Sequence, residues 1–554
     1  MSEGVLDVAR GWLAQDPDPQ TSDELRALIE RAEAGDAAAL DDLHDRFDTR
    51  LAFGTAGLRG ALGAGSNRMN RVLVGQAAAG FAAYLRERAG DGTPSVVVGY
   101  DGRRNSDVFA RDSAEIFAGA GLRAILLPRL LPTPVLAFAV RHLGASAGVM
   151  VTASHNPPDD NGYKVYLGGA DDGAQIVSPA DAEIAAHIDE VAARADLGAI
   201  PRSADYETAG EDVVDAYVRA TALVAPAPAG AAGLNWVYTA MHGVGHETLS
   251  RILETAGYPA PTVVADQIEP DGRFPTVAFP NPEEPGAMDL SFEAARAAGA
   301  ELILANDPDA DRLAVAIPDA AAPGGWRRLT GNEVGLLLGW RAARTATAGT
   351  LACSIVSSPG LQAIAEHYGL DFAATLTGFK WISRAPGLVY GFEEALGYLV
   401  NPDTVRDKDG ISAAVAVLGL VAEAREEGRT LGDLLDESAA TFGHFASGQV
   451  SLRVDDVSVI GRIMSALRAA PPASVGTVAV ERIEDLLTAP ESSPRGDVLR
   501  VWLTDGSRVI VRPSGTEPKL KAYLDVRGDS AEDAAARLAA VDAGVREILA
   551  AAQT

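Results

Sequence analysis

The chain has 554 residues, 47% of them hydrophobic, and a formal net charge of −29. This length exceeds what one hydrophobic core supports and predicts three or four domains. The acidic balance argues against a nucleic-acid backbone or an anionic membrane face as a partner, so an anionic substrate would need a locally basic cleft. The single cysteine, Cys353, excludes an intrachain disulfide and a Cys-x-x-Cys metal site.

The sequence also indicates a compartment. The first residues, Met1-Ser2-Glu3-Gly4-Val5, lack the basic and apolar regions of a secretory signal. The apolar run 413–422 is too short to cross a bilayer and is soon followed by charged residues. We therefore expect a cytoplasmic protein.

Hydrophobic periodicity divides the chain into five regions. The first is a helical extension, and strands then alternate with helices over three successive regions. This alternation predicts three similar α/β domains with mixed, mostly parallel sheets, and the last region is typical of a small α+β domain. The predicted boundaries are 1–50 for the extension, 51–205 for domain 1, 206–322 for domain 2, 323–442 for domain 3 and 443–554 for domain 4.

The predicted elements follow from this periodicity in chain order. The strands are 96–100, 124–127, 147–151, 236–239, 262–265, 301–305, 351–356, 372–376, 388–392, 449–454, 477–480, 499–503 and 507–511. The helices are 107–120, 135–143, 180–193, 247–256, 290–298, 411–424 and 531–551, with two more that begin at Asn332 and Leu361.

One serine lies where a buried strand meets a stiff loop. The apolar run 147–151 leads directly into Thr152-Ala153-Ser154-His155-Asn156-Pro157-Pro158. The Asn-Pro, Pro-Pro and Asn-Gly pairs that follow predict a tight loop that continues to Lys164. Rigidly held loops carry reactive groups, although an ordinary turn with a capping serine has the same local pattern.

Three aspartates at alternate positions follow another predicted strand. They belong to Asp307-Pro308-Asp309-Ala310-Asp311-Arg312. Carboxylates so close together repel one another unless a cation lies among them, and an all-oxygen ligand set suits Mg²⁺ or Ca²⁺. A solvated acidic loop is the alternative in so acidic a chain. The position after a buried strand favours the metal site.

Three further loops carry charged or hydroxyl groups. Arg512-Pro513-Ser514-Gly515-Thr516-Glu517-Pro518-Lys519 combines cations, hydroxyls and backbone N–H groups, as phosphate-binding loops do, although a hairpin turn has similar features. Gly391-Phe392-Glu393-Glu394-Ala395 places two acids at a strand end, where they could accept hydrogen bonds from sugar hydroxyls. Phe53-Gly54-Thr55-Ala56-Gly57-Leu58-Arg59 is a glycine-rich segment with one cation.

Together, these motifs resemble those of the α-D-phosphohexomutase superfamily, which includes phosphoglucomutase and phosphomannomutase. The serine, aspartate, glutamate and arginine loops occur in the family's order, and the 53–59 segment is similar to its N-terminal motif. The resemblance covers the chain from about residue 45. The sequence around Glu393 and the segment Asp407-Lys408-Asp409-Gly410 are most similar to those of bacterial phosphoglucomutases and phosphopentomutase-type enzymes.

The resemblance implies a four-domain molecule with one central cleft. It implies that Ser154 is a phosphoserine and that His155, Lys164 and Arg59 take part in catalysis. It also implies Mg²⁺ bound by Asp307, Asp309, Asp311 and the phosphate on Ser154. The implied substrate-binding residues are Arg312, Thr377, Gly378, Glu393, Lys408, Arg512, Ser514, Gly515 and Thr516.

The implied activity is that of a phosphosugar mutase, an isomerase of the intramolecular phosphotransferase class. Phosphate would move from Ser154 to a hexose monophosphate, a 1,6-bisphosphate would turn over in the cleft, and its other phosphate would return to the serine. Mg²⁺ and glucose 1,6-bisphosphate are the implied cofactors. Small phosphosugars are the expected partners of a monomer or weak dimer.

Several alternatives remain open at the level of sequence. Many phosphoglucomutases carry serine at the position of Ala395, so the lost hydroxyl leaves glucose, mannose and pentose phosphates possible, with hexoses favoured. A phosphopentomutase or a glucose 1,6-bisphosphate-forming enzyme would carry the same motifs. A seryl-intermediate phosphatase or a non-catalytic sugar-phosphate sensor are further alternatives. The general base is also open, with Lys164 and His155 as candidates.

Overall fold

The computed structural model describes residues 2–55, 57–194, 196–454, 456, 458–490, 495–514 and 519–553. Its helices are α1 Ser2–Gln15, α2 Pro19–Glu33, α3 Ala37–Phe47, α4 Arg71–Ala89, α5 Ser106–Gly119, α6 Thr133–His142, α7 Ala180–Arg194, α8 Glu211–Ala222, α9 Gly245–Ala256, α10 Asp289–Ala298, α11 Gly331–Thr345, α12 Gly360–Tyr368, α13 Phe379–Ile382, α14 Gly410–Glu426, α15 Leu431–Phe442, α16 Ser458–Ala469 and α17 Ala531–Ala551.

The strands are β1 Leu58–Ala61, β2 Ser95–Tyr100, β3 Arg123–Leu126, β4 Ala147–Val151, β5 Asp160–Leu167, β6 Ala174–Gln175, β7 Glu207–Thr208, β8 Trp236–Thr239, β9 Thr262–Val263, β10 Leu302–Asn306, β11 Leu313–Pro318, β12 Trp326–Arg328, β13 Thr350–Ser354, β14 Asp371–Thr375, β15 Leu388–Glu393, β16 Gly397–Leu399, β17 His444–Arg453, β18 Ser474–Val475, β19 Val478–Asp485, β20 Leu499–Leu503, β21 Arg508–Pro513 and β22 Lys519–Gly528.

These elements form two compact units. The first comprises Met1–Leu329 and Gly397–Glu427, and the second comprises Thr330–Leu396 and Gly428–Thr554. The chain therefore leaves the first unit after residue 329 and returns to it before ending in the second.

The first unit contains two mixed sheets. In the first sheet, β2 pairs in parallel with β3 and β4, whereas β5 runs antiparallel to β4 and to β1. In the second sheet, β10 is parallel to β8 and antiparallel to β11. Both β4 and β10 are completely buried, which explains their unbroken apolar runs. A polar loop follows the carboxyl end of each of these strands, as expected for binding sites on such sheets.

Helix α14 completes the first unit although it lies far along the chain. Its residues are buried on nearly all sides. It packs so closely on the 229–231 turn that a Cβ added to Gly230 would lie 2.1 Å from the carbonyl oxygen of Ala422. The Asp409 side chain caps the helix by accepting from the backbone N–H groups of Ile411 and Ser412.

The second unit contains a parallel α/β layer and an antiparallel sheet. Strand β13 is parallel to both β14 and β15. The antiparallel sheet has the order β17-β22-β21-β20-β19-β18, and α17 packs against β17 and β22. An apolar cluster that includes Ile355, Val498 and Tyr523 joins the two parts of this unit.

The structure confirms the predicted fold class of three α/β domains and a C-terminal α+β domain. It corrects one local prediction. Residues 160–167 form strand β5, not a continuation of the loop after Ser154, because they pair with both β1 and β4. Residues 318–325 connect β11 to β12 in a hairpin of the second sheet. The five predicted domain ranges stay predictions.

In the described part of the chain, every helix falls short of the length or the apolarity that a membrane span requires.

Two helical glycines give a matched test of the packing. A Cβ at Gly80 on α4 would lie 2.5 Å from the Cα of Ile188 on α7, whereas a Cβ at Gly11 on α1 would meet nothing within 4 Å. We expect Gly80→Ala to destabilise the protein by about 1–3 kcal/mol through overpacking. Gly11→Ala should stabilise it by about 0.5–1 kcal/mol through helix propensity. Thermal unfolding of both variants measures this, and equal shifts of the same sign would contradict the close α4–α7 contact.

Candidate active site

Ser154 occupies a sharp turn directly after β4. Its backbone φ is 53°, in the left-handed region that costs a residue with a side chain about 1–2 kcal/mol. The Ser154 N–H donates to Thr152 Oγ1 at 2.8 Å, and that hydroxyl donates to Asp101 Oδ2 at 2.7 Å. These bonds hold the turn in place, and Ser154 is only 3% exposed.

The three aspartates lie in the turn between β10 and β11. All three side chains are fully buried, and each offers an oxygen within 4.8 Å of the others. The turn packs tightly on the neighbouring loop, because a Cβ at Gly243 would lie 2.3 Å from the Cα of Pro308. The acidic loop is therefore a fixed, buried feature, and the alternative of a solvated acidic surface loop is wrong.

The two loops meet. Ser154 Oγ donates to Asp307 Oδ2 at 2.9 Å, across 153 positions of sequence. Both loops follow the carboxyl ends of buried strands, where ligands bind in open α/β sheets. The direct contact gives that placement a chemical meaning, since a phosphate on Ser154 would lie beside the carboxylate cluster.

Two lysines supply positive charge to this cluster. Lys164 Nζ lies 2.8 Å from both Asp309 Oδ2 and Asp311 Oδ2. Lys408 Nζ lies 3.0 Å from Asp311 Oδ2. Lys164 extends from β5, next to the strand that carries the serine. Burial alone would lower its pKa, but the two aspartates raise it more, so the ammonium stays charged.

The pKa values of the three carboxyls differ because their neighbours differ. Burial, together with Asp309 and Asp311, raises the pKa of Asp307 well above its ordinary value. Burial also opposes ionisation of the other two, but Lys164 outweighs it at Asp309, and Lys164 with Lys408 outweighs it at Asp311, so both pKa values are lowered. A bound cation would supply the counter-charge that Asp307 lacks.

The carboxylate cluster also has unused ligand atoms. Asp309 Oδ1 and Asp311 Oδ1 are buried and accept no hydrogen bond from the described part of the chain. Buried carboxylate oxygens normally accept hydrogen bonds, so two that accept none, in a cluster of three carboxylates, fit a hard, oxygen-preferring divalent cation. The residues present therefore suit the metal that the sequence predicts.

His155 and Arg59 contact the serine and its loop. His155 Nδ1 is 3.2 Å from Ser154 Oγ. Burial, with Arg312 and Arg59 nearby, lowers the pKa of His155 well below its ordinary value, so the ring is neutral at pH 7. Arg59 Nη1 donates to Asn156 Oδ1 at 3.2 Å, and the Arg312 N–H donates to Asp307 Oδ1 at 3.0 Å.

The second unit holds the remaining predicted site residues. Glu393 ends β15 and accepts from the backbone N–H of Gly378 at 3.0 Å, next to Thr377. Glu394 instead accepts from the hydroxyls of Ser354 and Ser357, so the paired acids have different surroundings. Arg512 and Ser514 end β21 and begin the loop after it, whereas the predicted residues Gly515 and Thr516 lie outside the described residues.

Sequence reasoning missed three residues that contact this site. Thr133 Oγ1 donates to Asp309 Oδ2 at 2.6 Å, and Asp101 and Arg103 contact the serine loop. Asp101-Gly102-Arg103 directly follows β2, the parallel neighbour of β4. Because ligands bind beyond the carboxyl ends of such strands, this position could have identified Asp101 and Arg103 as candidates. Thr133 begins α6 and carries no comparable signal.

Comparison with known families covers most of the chain. Four consecutive domain models, described as phosphoglucomutase/phosphomannomutase α/β/α domains I, II and III and C-terminal domain, match residues 50–195, 215–321, 330–442 and 467–543. The chain belongs to the phosphoglucomutase/phosphomannomutase family. It is thus a phosphomutase, an isomerase that transfers a phosphoryl group within one substrate.

Individual relatives of this phosphomutase match it over nearly their full length. A Haemophilus influenzae protein described as "Probable phosphomannomutase" is 58% identical over 87% of this chain and 98% of its own. The human "Phosphopentomutase" is 34% identical over 93% of this chain and 90% of its own. A Burkholderia thailandensis family member of known structure shares the fold, with a TM-score of 0.70, 21% identity and coverage of 91% and 98% of the two chains.

The left-handed turn of the phosphomutase serine gives a test of its backbone geometry. Ser154→Gly and Ser154→Ala both remove the hydroxyl, but only glycine adopts a φ of 53° without steric cost. We expect the glycine variant to be the more stable by about 1 kcal/mol. At Ser22, inside α2, the ranking should reverse, because alanine favours a helix over glycine. Thermal unfolding of the four variants gives the answer, and an alanine variant at position 154 that equals glycine would contradict the strained turn.

Proposed function

We propose that this phosphomutase interconverts hexose 1-phosphates and hexose 6-phosphates through a phosphoserine at Ser154. The observation that carries the proposal is the 2.9 Å contact between Ser154 Oγ and Asp307 within a buried cluster of carboxylates and lysines. A neutral serine would need no such surroundings. A phosphoserine, with roughly −1.5 to −2 charges, requires concentrated positive charge beside it.

We assign the cation to Mg²⁺, held by Asp307, Asp309 and Asp311 with the phosphate on Ser154. When bound, it would neutralise charge on the transferring phosphoryl group. Asp309 Oδ1 and Asp311 Oδ1, which accept no hydrogen bond from the described residues, support this assignment. Lys164 and Lys408 then hold the carboxylates in place and add positive charge at the same point.

The first half of the reaction breaks the bond between phosphorus and Ser154 Oγ. The free hydroxyl of a sugar monophosphate attacks the phosphorus, and its proton passes to a base. Of the two candidates, Lys164 is engaged in ion pairs with Asp309 and Asp311, whereas His155 Nδ1 lies 3.2 Å from Ser154 Oγ, so we assign the base to His155. His155 gives that proton to the departing Ser154 Oγ, so the serine leaves as a hydroxyl. In the second half, Ser154 Oγ attacks the other phosphorus of the bisphosphate and loses its proton to His155. The bond between that phosphorus and the sugar oxygen breaks, and the proton passes to the sugar oxygen.

The sequence motifs assign the remaining contacts. We propose that Glu393, with Thr377 and Gly378, binds sugar hydroxyls, since its carboxylate ends a strand next to a backbone N–H donor. Arg512, Ser514, Gly515 and Thr516 are assigned to the phosphate that does not react, and Arg59, Arg312 and Lys408 to phosphate or sugar contacts. Glucose 1,6-bisphosphate is the expected activator.

Two comparisons support a hexose substrate. The relative with a phosphomannomutase name is 58% identical, whereas the human phosphopentomutase is 34% identical. We therefore propose mannose and glucose phosphates as substrates, with pentose phosphates as the second candidate. The cytoplasmic location and the state of monomer or weak dimer stay predictions from the sequence.

The phosphoserine is tested by combining mass spectrometry with kinetics. After incubation with glucose 1,6-bisphosphate and Mg²⁺, the wild-type protein should gain the mass of one phosphoryl group, localised to Ser154. Ser154→Ala should lose the modification and at least about 1,000-fold in mutase kcat. Ser451→Ala, at an exposed serine, should match the wild type. Removal of divalent cations with EDTA should abolish turnover, and added Mg²⁺ should restore it.

The same assay separates the alternatives. Accumulation of the isomeric sugar phosphate supports the mutase, whereas release of inorganic phosphate would indicate a phosphatase. Substantial mutase turnover by Ser154→Ala would contradict the covalent role. A wild-type protein that binds the sugar phosphate without phosphoserine or product would indicate a sensor.

Position 395 tests the choice of sugar. Ala395→Ser adds the hydroxyl that many phosphoglucomutases carry, and it follows the two acids of the proposed sugar-binding loop. We expect kcat/KM for glucose 1-phosphate to rise about 10-fold relative to mannose 1-phosphate, as one hydrogen bond to a substrate hydroxyl allows. Ala539→Ser, on the exposed side of α17, is the control. An unchanged ratio would remove Ala395 from the determinants of specificity.

A further inference from the structure

A buried arginine holds the backbone of the serine loop. Arg103 is 4% exposed, and its guanidinium donates to four carbonyl oxygens, three in that loop and one at the start of β5. Nη2 donates to Ser154 O at 2.7 Å and to Asn156 O at 2.6 Å. Nη1 donates to Pro157 O at 2.8 Å and to Asp160 O at 3.1 Å. All four N–H bonds of the two terminal nitrogens are thus directed at the backbone of residues 154–160.

The arginine is itself held from two sides. Asp101 Oδ2 lies 3.6 Å from Arg103 Nε, and Asp101 Oδ1 accepts from the backbone N–H of Arg103 at 3.0 Å. The ring of Phe274 covers the guanidinium, with Cζ 4.9 Å from the ring centroid. Phe274 has a φ of 47°, an uncommon conformation for a bulky residue and one that occurs where the surroundings impose it. We call this group the Arg103 clamp; it consists of Asp101, Arg103 and Phe274.

The same clamp reaches Ser154 by a second route. Asp101 Oδ2 accepts from Thr152 Oγ1, and Thr152 Oγ1 accepts from the backbone N–H of Ser154. The N–H and the carbonyl of Ser154 are therefore both fixed through the clamp, one by Thr152 and the other by Arg103. This double attachment explains how a serine keeps a φ of 53° with its Oγ directed at Asp307.

We propose that Arg103 is a positioning residue for phosphoryl transfer, which rests on the proposed role of Ser154. Among the described contacts, its guanidinium donates to the carbonyls of residues 154–160 and not to the three aspartate side chains or the Ser154 hydroxyl. Its effect passes through the loop backbone, which must return Oγ to the same place each time the serine loses or regains its phosphate. A displacement of about 1 Å at a reacting atom can cost about 100-fold in rate.

Lysine cannot replace this arginine. A single ammonium nitrogen has three N–H donors and no planar fork, so it cannot reach four carbonyls on both sides of the loop. We expect Arg103→Lys to lower kcat about 100-fold and to leave KM for the sugar phosphate within about 3-fold, because the substrate-binding groups are untouched. Guanidinium ion added to Arg103→Ala should restore part of kcat.

The neighbouring arginine is the matched control. Arg104 also contacts the serine loop, at Pro158 O and Asp159, but from the solvent side, with 42% of its side chain exposed. Arg104→Ala should keep wild-type kcat and KM. Phe274→Leu removes the ring but leaves every charge in place, and should lower kcat about 3- to 10-fold through a less fixed guanidinium.

The experiment measures kcat, KM, thermal unfolding and the extent of Ser154 phosphorylation after incubation with glucose 1,6-bisphosphate. A low kcat with near-normal KM in folded Arg103→Lys and Phe274→Leu, together with guanidinium rescue, supports the clamp. Wild-type kcat in either variant, or an equal loss in Arg104→Ala, would overturn it. If Arg103→Lys does not fold, Phe274→Leu decides alone. Absence of phosphoserine from the wild-type protein would instead contradict the proposed function.

Discussion

Three buried carboxylates in one turn are the constraint on which the first unit depends. Asp307, Asp309 and Asp311 repel one another in a medium that stabilises charge poorly, so opposite charge must surround them. Lys164 from the first sheet and Lys408 ahead of α14 provide it. Each contact joins elements far apart in the chain. The negative charge of this turn therefore has to be balanced by lysines from distant segments of the chain. Ser154 reaches Asp307 because its loop connects β4 to β5, the strand that carries Lys164.

The fold and the positions of the reactive loops could be predicted because both follow from local patterns. Fully apolar runs marked β4 and β10 as buried strands, and the loop rule for open sheets then marked Ser154 and the aspartates. Strand β5 was not predicted, because Asn161 and Gly162 resemble turn residues. Only the pairing of β5 with β1 and β4 makes it a strand. That difference matters, since it places Lys164 on a rigid sheet, from which its ammonium reaches two aspartates.

The partners within the site could not be predicted from spacing. Nothing near Lys164 in the sequence identifies Asp309 and Asp311 as its partners, because those contacts depend on how two sheets pack. Arg103 shows the same limit in another form. An Asp-Gly-Arg segment after a strand is an ordinary turn by composition, and its role becomes visible only when four carbonyls converge on one guanidinium. The sequence motifs identified the reactive side chains, whereas contacts to backbone carbonyls could not be identified from the sequence.

The return of residues 397–427 to the first unit has a consequence for biosynthesis. A nascent chain that has left the ribosome only as far as Leu329 already carries the three aspartates, the serine loop and Lys164. It lacks Lys408 and the apolar helix α14, which covers the second sheet. The ribosome must first deliver residues 330–396, which belong to the other unit. Completion of the acidic centre is thereby coupled to synthesis of the third predicted domain, and an incomplete chain exposes the surface that α14 later buries.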